Sequence, residues 1–302
     1  MQTLAVLQDP ILPVFAIMAL GFVMGRMGVV SEDDAQLVNR IAMSVFLPLM
    51  LFGVIARAPI RDFAPVPTLI YLAAEFVVYG FGFWLAYRVF KRGARESVLL
   101  AFSGIFANNA LYVLPISVLL YGRENVLPVT TLITLDAIVT FAGAMIALQL
   151  MEYGRVSPGT VFRTVARTPM LIAILLGIPF GLSDFAIPGP IETFLDFNGA
   201  AAAPLALFAL GVVLSSTPFR VDRTVASFTL IKLAVFPTAV GGGLWLITGN
   251  DPAYALFLLG AAGPAGAMAF SLALLHGVRT DAIAQVVVYT SILTLLSMAW
   301  LA

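Results

Sequence analysis

Few residues in this chain can do chemistry, and those that can stand among apolar neighbours. Asn108 and Asn109 are adjacent in the stretch GIFANNALYVLP (residues 104–115), which Pro115 closes. Each amide offers donors and an acceptor without a charge, a combination that can hold a carboxylate and release it again. Ser103 sets a hydroxyl just upstream. A second interrupted stretch, GAAGPAGAMAF (residues 260–270), contains Pro264 and Gly266. Proline and glycine make continuous helix costly, and unwound backbone inside a bilayer is tolerated only where protein or a watery cavity satisfies it. Half-helices that start at such breaks aim free N–H groups and partial positive charge into the gap, which suits an anion. Asn108, Asn109, Pro115, Pro264, Gly266 and Ser103 are therefore the candidate solute-binding residues, with Asn108 expected to hold the solute and Asn109 to help satisfy the unwound backbone. The competing reading makes the breaks simple kinks and the asparagines cross-links between packed helices. Two breaks at matching depth favour a site.

Three ionisable residues also lie inside apolar runs: Glu75, Asp136 and Lys232. Glu75 and Lys232 each stand about 13 Å along their runs at 1.5 Å per residue. Charges at that depth cost several kcal/mol unless paired, and by default they mark functional pathways. A Glu75–Lys232 pair is expected, either as part of a coupling network or as a lock between two helices. Asp136 has no basic neighbour in sequence and is expected to carry a proton, which suits a proton-linked step or a neutral hydrogen-bonding acid. His276 is the one histidine and there is no cysteine, so no metal site, disulfide or cofactor is expected.

The composition says where these residues sit. Apolar residues make up 61% of the 302 and charged ones 11%, with a mean hydropathy of +1.03. Such a chain cannot cover itself with a polar surface; it is an all-α integral membrane protein. Apolar runs at 10–29, 35–56, 66–90, 97–121, 126–149, 168–183, 190–215, 224–248, 252–276 and 280–301 predict ten spans in one domain covering 1–302. The Asn108–Asn109 break falls in span 4 and Pro264 in span 9. Residues 1–9 lack the basic residues of a secretory signal, so the first run is expected to be a retained helix.

Arg26, Arg40, Arg88, Lys91, Arg92, Arg95, Arg155, Arg163, Arg167, Arg220, Arg223 and Arg279 fall on one face, against Arg57, Arg61 and Arg123 on the other. Basic loops stay in the cytoplasm, which places both termini outside. FLPLMLFGVIA (46–56) resembles AAPLALFALGVVL (202–214), aligning Pro48 with Pro204, and LLYG (119–122) resembles LLHG (274–277) at almost the same offset. Five helices per copy is odd, so the copies, 10–149 and 168–301, would be inverted repeats, with sites near the midplane on discontinuous helices 4 and 9. Gly21-x-x-x-Gly25 and Gly241–Gly243 are expected to permit close helix packing.

Pro48 in FLP, Pro204 and Gly211 in AAPLALFALG, Asn108 followed by Pro115, and PAG at 264–266 with TDAIAQVVVYTSILTLLSMAW (280–300) together resemble the auxin efflux carrier family over nearly the whole chain. Val113 and Ala265 depart from that pattern, and the long hydrophilic loop of the plant exporters is missing. The resemblance implies a fold related to bile-acid/sodium symporters, with spans 1, 2, 6 and 7 as a dimerising scaffold. Spans 3–5 and 8–10 would form a mobile domain moving like an elevator, crossed at spans 4 and 9. It also implies a bacterial inner-membrane carrier of small carboxylates such as malonate or malate, or of an auxin-like acid, with a sodium-coupled symporter as the alternative. Enzyme chemistry is not expected, since no nucleophile with a base and no H-E-x-x-H is present. The expected partners are a small organic anion, membrane lipid and a second copy of the chain, with no nucleic acid.

Overall fold

The computed structural model describes residues 16–122, 125–153, 159, 162, 166–183, 185–217, 221–249, 251 and 254–301. The absence of a signal in residues 1–9 and the placement of Arg123, Arg155, Arg163 and Arg220 lie outside the described residues. The described residues are helical, with one isolated antiparallel bridge.

Helix α1 covers Ala16–Arg26, and α2 covers Glu32–Ala56. Next come α3 (Pro65–Val89), α4 (Ala94–Ile105) and α5 (Asn109–Val113 continuing as Leu114–Tyr121). The middle of the chain forms α6 (Leu127–Glu152), α7 (Pro169–Gly181) and α8 (Gly189–Ser216). The last elements are α9 (Arg223–Thr248), α10 (Ala255–Ala262), α11 (Met268–Leu275) and α12 (Asp281–Leu301). Five of these, α2, α3, α6, α8 and α9, are individually long and apolar enough to cross a bilayer, which makes the chain a multi-pass membrane protein. The apolar runs at 97–121 and 252–276 each divide in two, at residues 106–108 and 263–267.

Local sequence explains the starts and the interruptions. Ser31 and Asp34 form a reciprocal capping box at the head of α2, and Asp222 Oδ1 accepts from the Val225 N–H at the head of α9. Wide π-helical turns at Ala42–Phe46, Asn109–Val113 and Ile231–Val235 each end two residues before a proline, Pro48, Pro115 and Pro237. A proline has no N–H for the carbonyl four residues back and crowds it in a regular helix. Widening the turn that holds that carbonyl relieves the conflict. Pro204 in α8 is accommodated differently: the regular helix breaks at 200–201, where the Ala201 N–H reaches back only three residues, to the Asn198 carbonyl.

Helix α2 packs on α7 and α8, while α3, α4, α9, α10 and α12 pack in a second group. Close approach of α1 to α8 needs glycine on both sides. A Cβ on Gly211 would collide with the Met18 carbonyl oxygen, and one on Gly21 with that of Phe208. The expected role of the Gly21–Gly25 pair in helix packing is thus seen directly.

Candidate functional site

The two helix breaks satisfy each other. The Asn108 N–H donates to the Pro264 carbonyl at 2.8 Å and the Gly266 N–H to the Phe106 carbonyl at 2.9 Å, closing the antiparallel bridge between Ala107 and Ala265. The Ala265 N–H finds Thr290 Oγ1 at 3.1 Å, so a side chain of α12 holds the centre of the crossing. This is how unwound backbone survives at that depth. Gly266 is required by the close approach: a Cβ there would stand 2.7 Å from a Phe106 ring carbon.

A cavity of about 90 Å³ lies against this crossing. Its walls are Leu47, Met50, Leu51 and Val54 of α2, and Ala203, Ala206 and Leu207 of α8. Phe106 to Ala110 and Gly266 to Met268 complete it with the first residues of α5 and α11, and Ile133, Asp136, Ala137 and Phe141 close the side of α6. The amides that open α5 and α11 have no carbonyl a turn earlier, so both helix heads present donors and partial positive charge at the cavity. Asn108 is half-buried and lines the cavity, and its side-chain amide takes no partner among the described residues. It is the one amide there left for a solute.

Asn109 does something else. It is 2% exposed, and its Nδ2 donates to Asp136 Oδ2 at 2.9 Å. Glu75 and Asp136, both 2% exposed, lie within hydrogen-bonding reach of each other, and Thr140 Oγ1 donates to Glu75 Oε2 at 2.8 Å. Glu75 Oε1 and Asp136 Oδ1 have no other donor. Two ionised carboxylates in contact repel, and a proton on one of them removes the repulsion. The wide turns matter here too. Asn109 and Asp136 each open a π-helical turn, and Lys232 is the second residue of another.

Lys232 is fully buried, and its Nζ donates to the Ala261 carbonyl at 2.9 Å and the Ile105 carbonyl at 3.2 Å. These carbonyls belong to the last turns of α10 and α4, where helix dipoles favour a cation. The Phe236 ring, 4.7 Å away, lies under the ammonium. The direct Glu75–Lys232 pair expected from the sequence is therefore not the arrangement found. Glu75 turns to Asp136 and Thr140, and Lys232 turns to the carbonyls of Ile105 and Ala261 at two helix ends. All three residues nonetheless fall in one buried cluster, with Lys232 acting on the acids through space.

Three further expectations change in detail. Pro115 does not begin the second half-helix; α5 begins at Asn109, and the free donors come from Asn109 and Ala110. Ser103 is buried in α4 with its hydroxyl on the Leu100 carbonyl at 2.7 Å, away from the cavity lining. Pro264 contributes its carbonyl to the bridge rather than a wall to the cavity. Residues that sequence reasoning passed over include Thr140, Thr290 and Asn39. Asn39, 1% exposed on α2, donates to the Ser271 carbonyl of α11 at 3.0 Å. Thr140 stands four residues after Asp136, a spacing that was legible; Thr290 carries no such signal.

The profile of the membrane transport protein family matches residues 6–301. The chain belongs to that family, the auxin efflux carrier-like transporters. Its relatives include the "Putative malonate transporter" of Rhizobium meliloti (strain 1021), 22% identical over 94% of this chain and 91% of the relative. An uncharacterized transporter of Methanothermobacter thermautotrophicus is 24% identical over 96% of this chain and 95% of its own. The transporter YfdV of Escherichia coli (strain K12) is 27% identical over 76% of each chain. The family and these relatives are named as transporters, not enzymes.

Proposed function

We propose that this family member is a secondary carrier of a small organic anion, with a mono- or dicarboxylate as substrate and a proton as the linked ion. The observation that carries the reading is the free Asn108 amide at the cavity, between the donor-bearing heads of α5 and α11. A neutral donor binds an anion without holding it permanently, as turnover requires. Malonate is the first candidate, since a relative bears that name and the cavity is small. On this reading α1 to α12 make ten spans in two inverted five-helix repeats of a bacterial inner-membrane protein, with both termini outside. Helices α1, α2, α7 and α8 are a dimerising scaffold and the others move as an elevator. The cavity lies against the outer half of α2 and the middle of α8, and Asn39 on Ser271 closes the inner side.

Thermal-shift titration of purified protein with mono- and dicarboxylates and auxin-like aromatic acids tests it, because ligands of the native state raise its melting temperature. A carboxylate should stabilise the parent. Asn108→Ala should bind it about ten- to a hundredfold more weakly, the ~1.5–3 kcal/mol of one hydrogen bond to a charged group. Equal affinity in parent and variant would make Asn108 structural.

A sodium-coupled symporter is the second reading. Lys232 weighs against it: carriers of this kind hold the coupling cation on half-helix C-terminal carbonyls, and here an ammonium takes two such carbonyls. Uptake into proteoliposomes should be the same with sodium replaced by choline; a sodium requirement would reverse the choice.

A further inference from the structure

The exposed side of α3 is graded from apolar to aromatic to cationic. Phe76, Val77, Gly80 and Phe81 are exposed at helical spacing, Trp84 and Tyr87 continue the stripe, and Arg88 and Lys91 end it. Phe76 stands twelve residues before Arg88, roughly 18 Å along the axis, close to the ~15 Å of hydrocarbon in one leaflet. The apolar part thus covers one leaflet, the indole and phenol fall at its edge, and the two cations fall among headgroups. Phe81 stacks on Trp84 at 6.0 Å and Phe83 on Tyr87 at 5.7 Å, which fixes the aromatic part. Gly80, where an added Cβ would meet nothing within 4 Å, leaves a dip between Phe76 and Trp84. The cations at the end are free for a ligand. Arg92 is engaged by Glu96, Asp222 and Thr224 at 3.2, 3.0 and 2.9 Å. Arg88 and Lys91 are exposed and take no partner among the described residues. Lys91 also has φ +54°, the one positive φ of a non-glycine residue among the described residues. It follows the last turn of α3, which the Arg92 N–H closes on the Ala86 carbonyl at 3.0 Å, a place that glycine takes without strain. A lysine there gives up backbone ease and sets a cation at headgroup level.

We infer that this face of α3 is a docking site for an anionic phospholipid, with the phosphate between Arg88 and Lys91, the glycerol level with Trp84 and Tyr87, and one acyl chain over Gly80. Arginine and lysine are the side chains that hold phosphate, and basic residues just beyond a spanning helix draw anionic lipid. A zwitterionic headgroup brings a cation of its own, which the two basic side chains repel, so the site selects for net negative charge. The helix dipole favours cations at this end of α3 in any case, so the decisive readout is bound lipid rather than stability. The site is separate from the solute cavity and does not depend on what the carrier moves.

Native mass spectrometry tests it, with the full-length protein in detergent titrated with phosphatidylglycerol or with phosphatidylcholine of the same chains. The parent should retain phosphatidylglycerol severalfold better. Arg88→Gln with Lys91→Gln should abolish that preference. The control pair Arg40→Gln with Arg279→Gln removes two exposed cations elsewhere and should keep it. Lys91→Gly relaxes the backbone, so it serves if the double variant is not monodisperse; it should lose much of the preference while melting no lower than the parent. Excess inorganic phosphate should not displace the lipid. An unchanged preference in the Arg88 and Lys91 variants, an equal loss in the control pair, or displacement by phosphate would overturn the site. A dimer that comes apart on Trp84→Arg would give the face to a second copy and overturn it as well.

Discussion

Replacing Lys232 by methionine removes the ammonium but keeps most of the side chain's volume. Two carbonyls, of Ile105 and Ala261, then lose their donor in a fully buried place. An orphaned buried acceptor costs about 1–3 kcal/mol each. The same change removes the positive charge opposite the Glu75–Asp136 pair, and breaking a buried charge cluster from one side costs about 3–5 kcal/mol. One ammonium supplies both effects, so they overlap, and the larger alone is the safer figure. At roughly 2–4 °C per kcal/mol for a chain of this order of size, Lys232→Met should melt about 6–20 °C below the parent. The pH dependence has a definite sign. Without the lysine, the remaining negative charge of the acid pair must be neutralised by a proton, which is easier as pH falls. The deficit should therefore shrink at low pH and widen at high pH. Adding Glu75→Gln and Asp136→Asn together removes the charge that the ammonium balanced, so the triple variant should recover part of the loss. The measurement is tryptophan-fluorescence melting of purified protein over a pH series. A deficit of about a degree, or one that ignores pH and is additive with the loss of both carboxyls, would refute the argument that Lys232 ties the acid pair to the helix ends.

Asn109→Ala should lower stability by about 1–3 kcal/mol through the lost donor to Asp136, with carboxylate affinity changed less than in Asn108→Ala; titration and melting of the two variants side by side check this. Gly211→Val should prevent α8 from closing on α1 at Met18, seen as lost monodispersity on size exclusion, whereas Gly242→Ala, which meets no neighbour, should behave as the parent. Reporter fusions after Arg163 should read cytoplasmic, and fusions after Gly249 or Ala302 external; a cytoplasmic reading at Ala302 would contradict the even number of spans.

Composition alone made this a helical membrane protein, because a chain with so few charged residues has no polar surface to give to water. The helix interruptions were equally legible. Pro48, Pro115 and Pro237 each place a wide turn just upstream, and the glycines and proline of residues 260–266 break the ninth run, since backbone rules act through local sequence. The residues able to do chemistry, Asn108, Asn109, Glu75, Asp136 and Lys232, were visible for the same reason: polar groups in hydrocarbon are costly and therefore few.

Which of them touch was decided by the tertiary structure. Opposite charge suggested Glu75 with Lys232, yet the ammonium lies on the carbonyls of Ile105 and Ala261, and Glu75 lies against Asp136 and Thr140. Sequence counts charged side chains but not the unpaired carbonyls at a helix end, which exist only once two half-helices meet. The bridge between Ala107 and Ala265, the support from Thr290, and the contact of Asn109 with Asp136 have the same origin. Each is set by packing between segments far apart in the chain, which decides how the two breaks meet and which neighbour each side chain reaches.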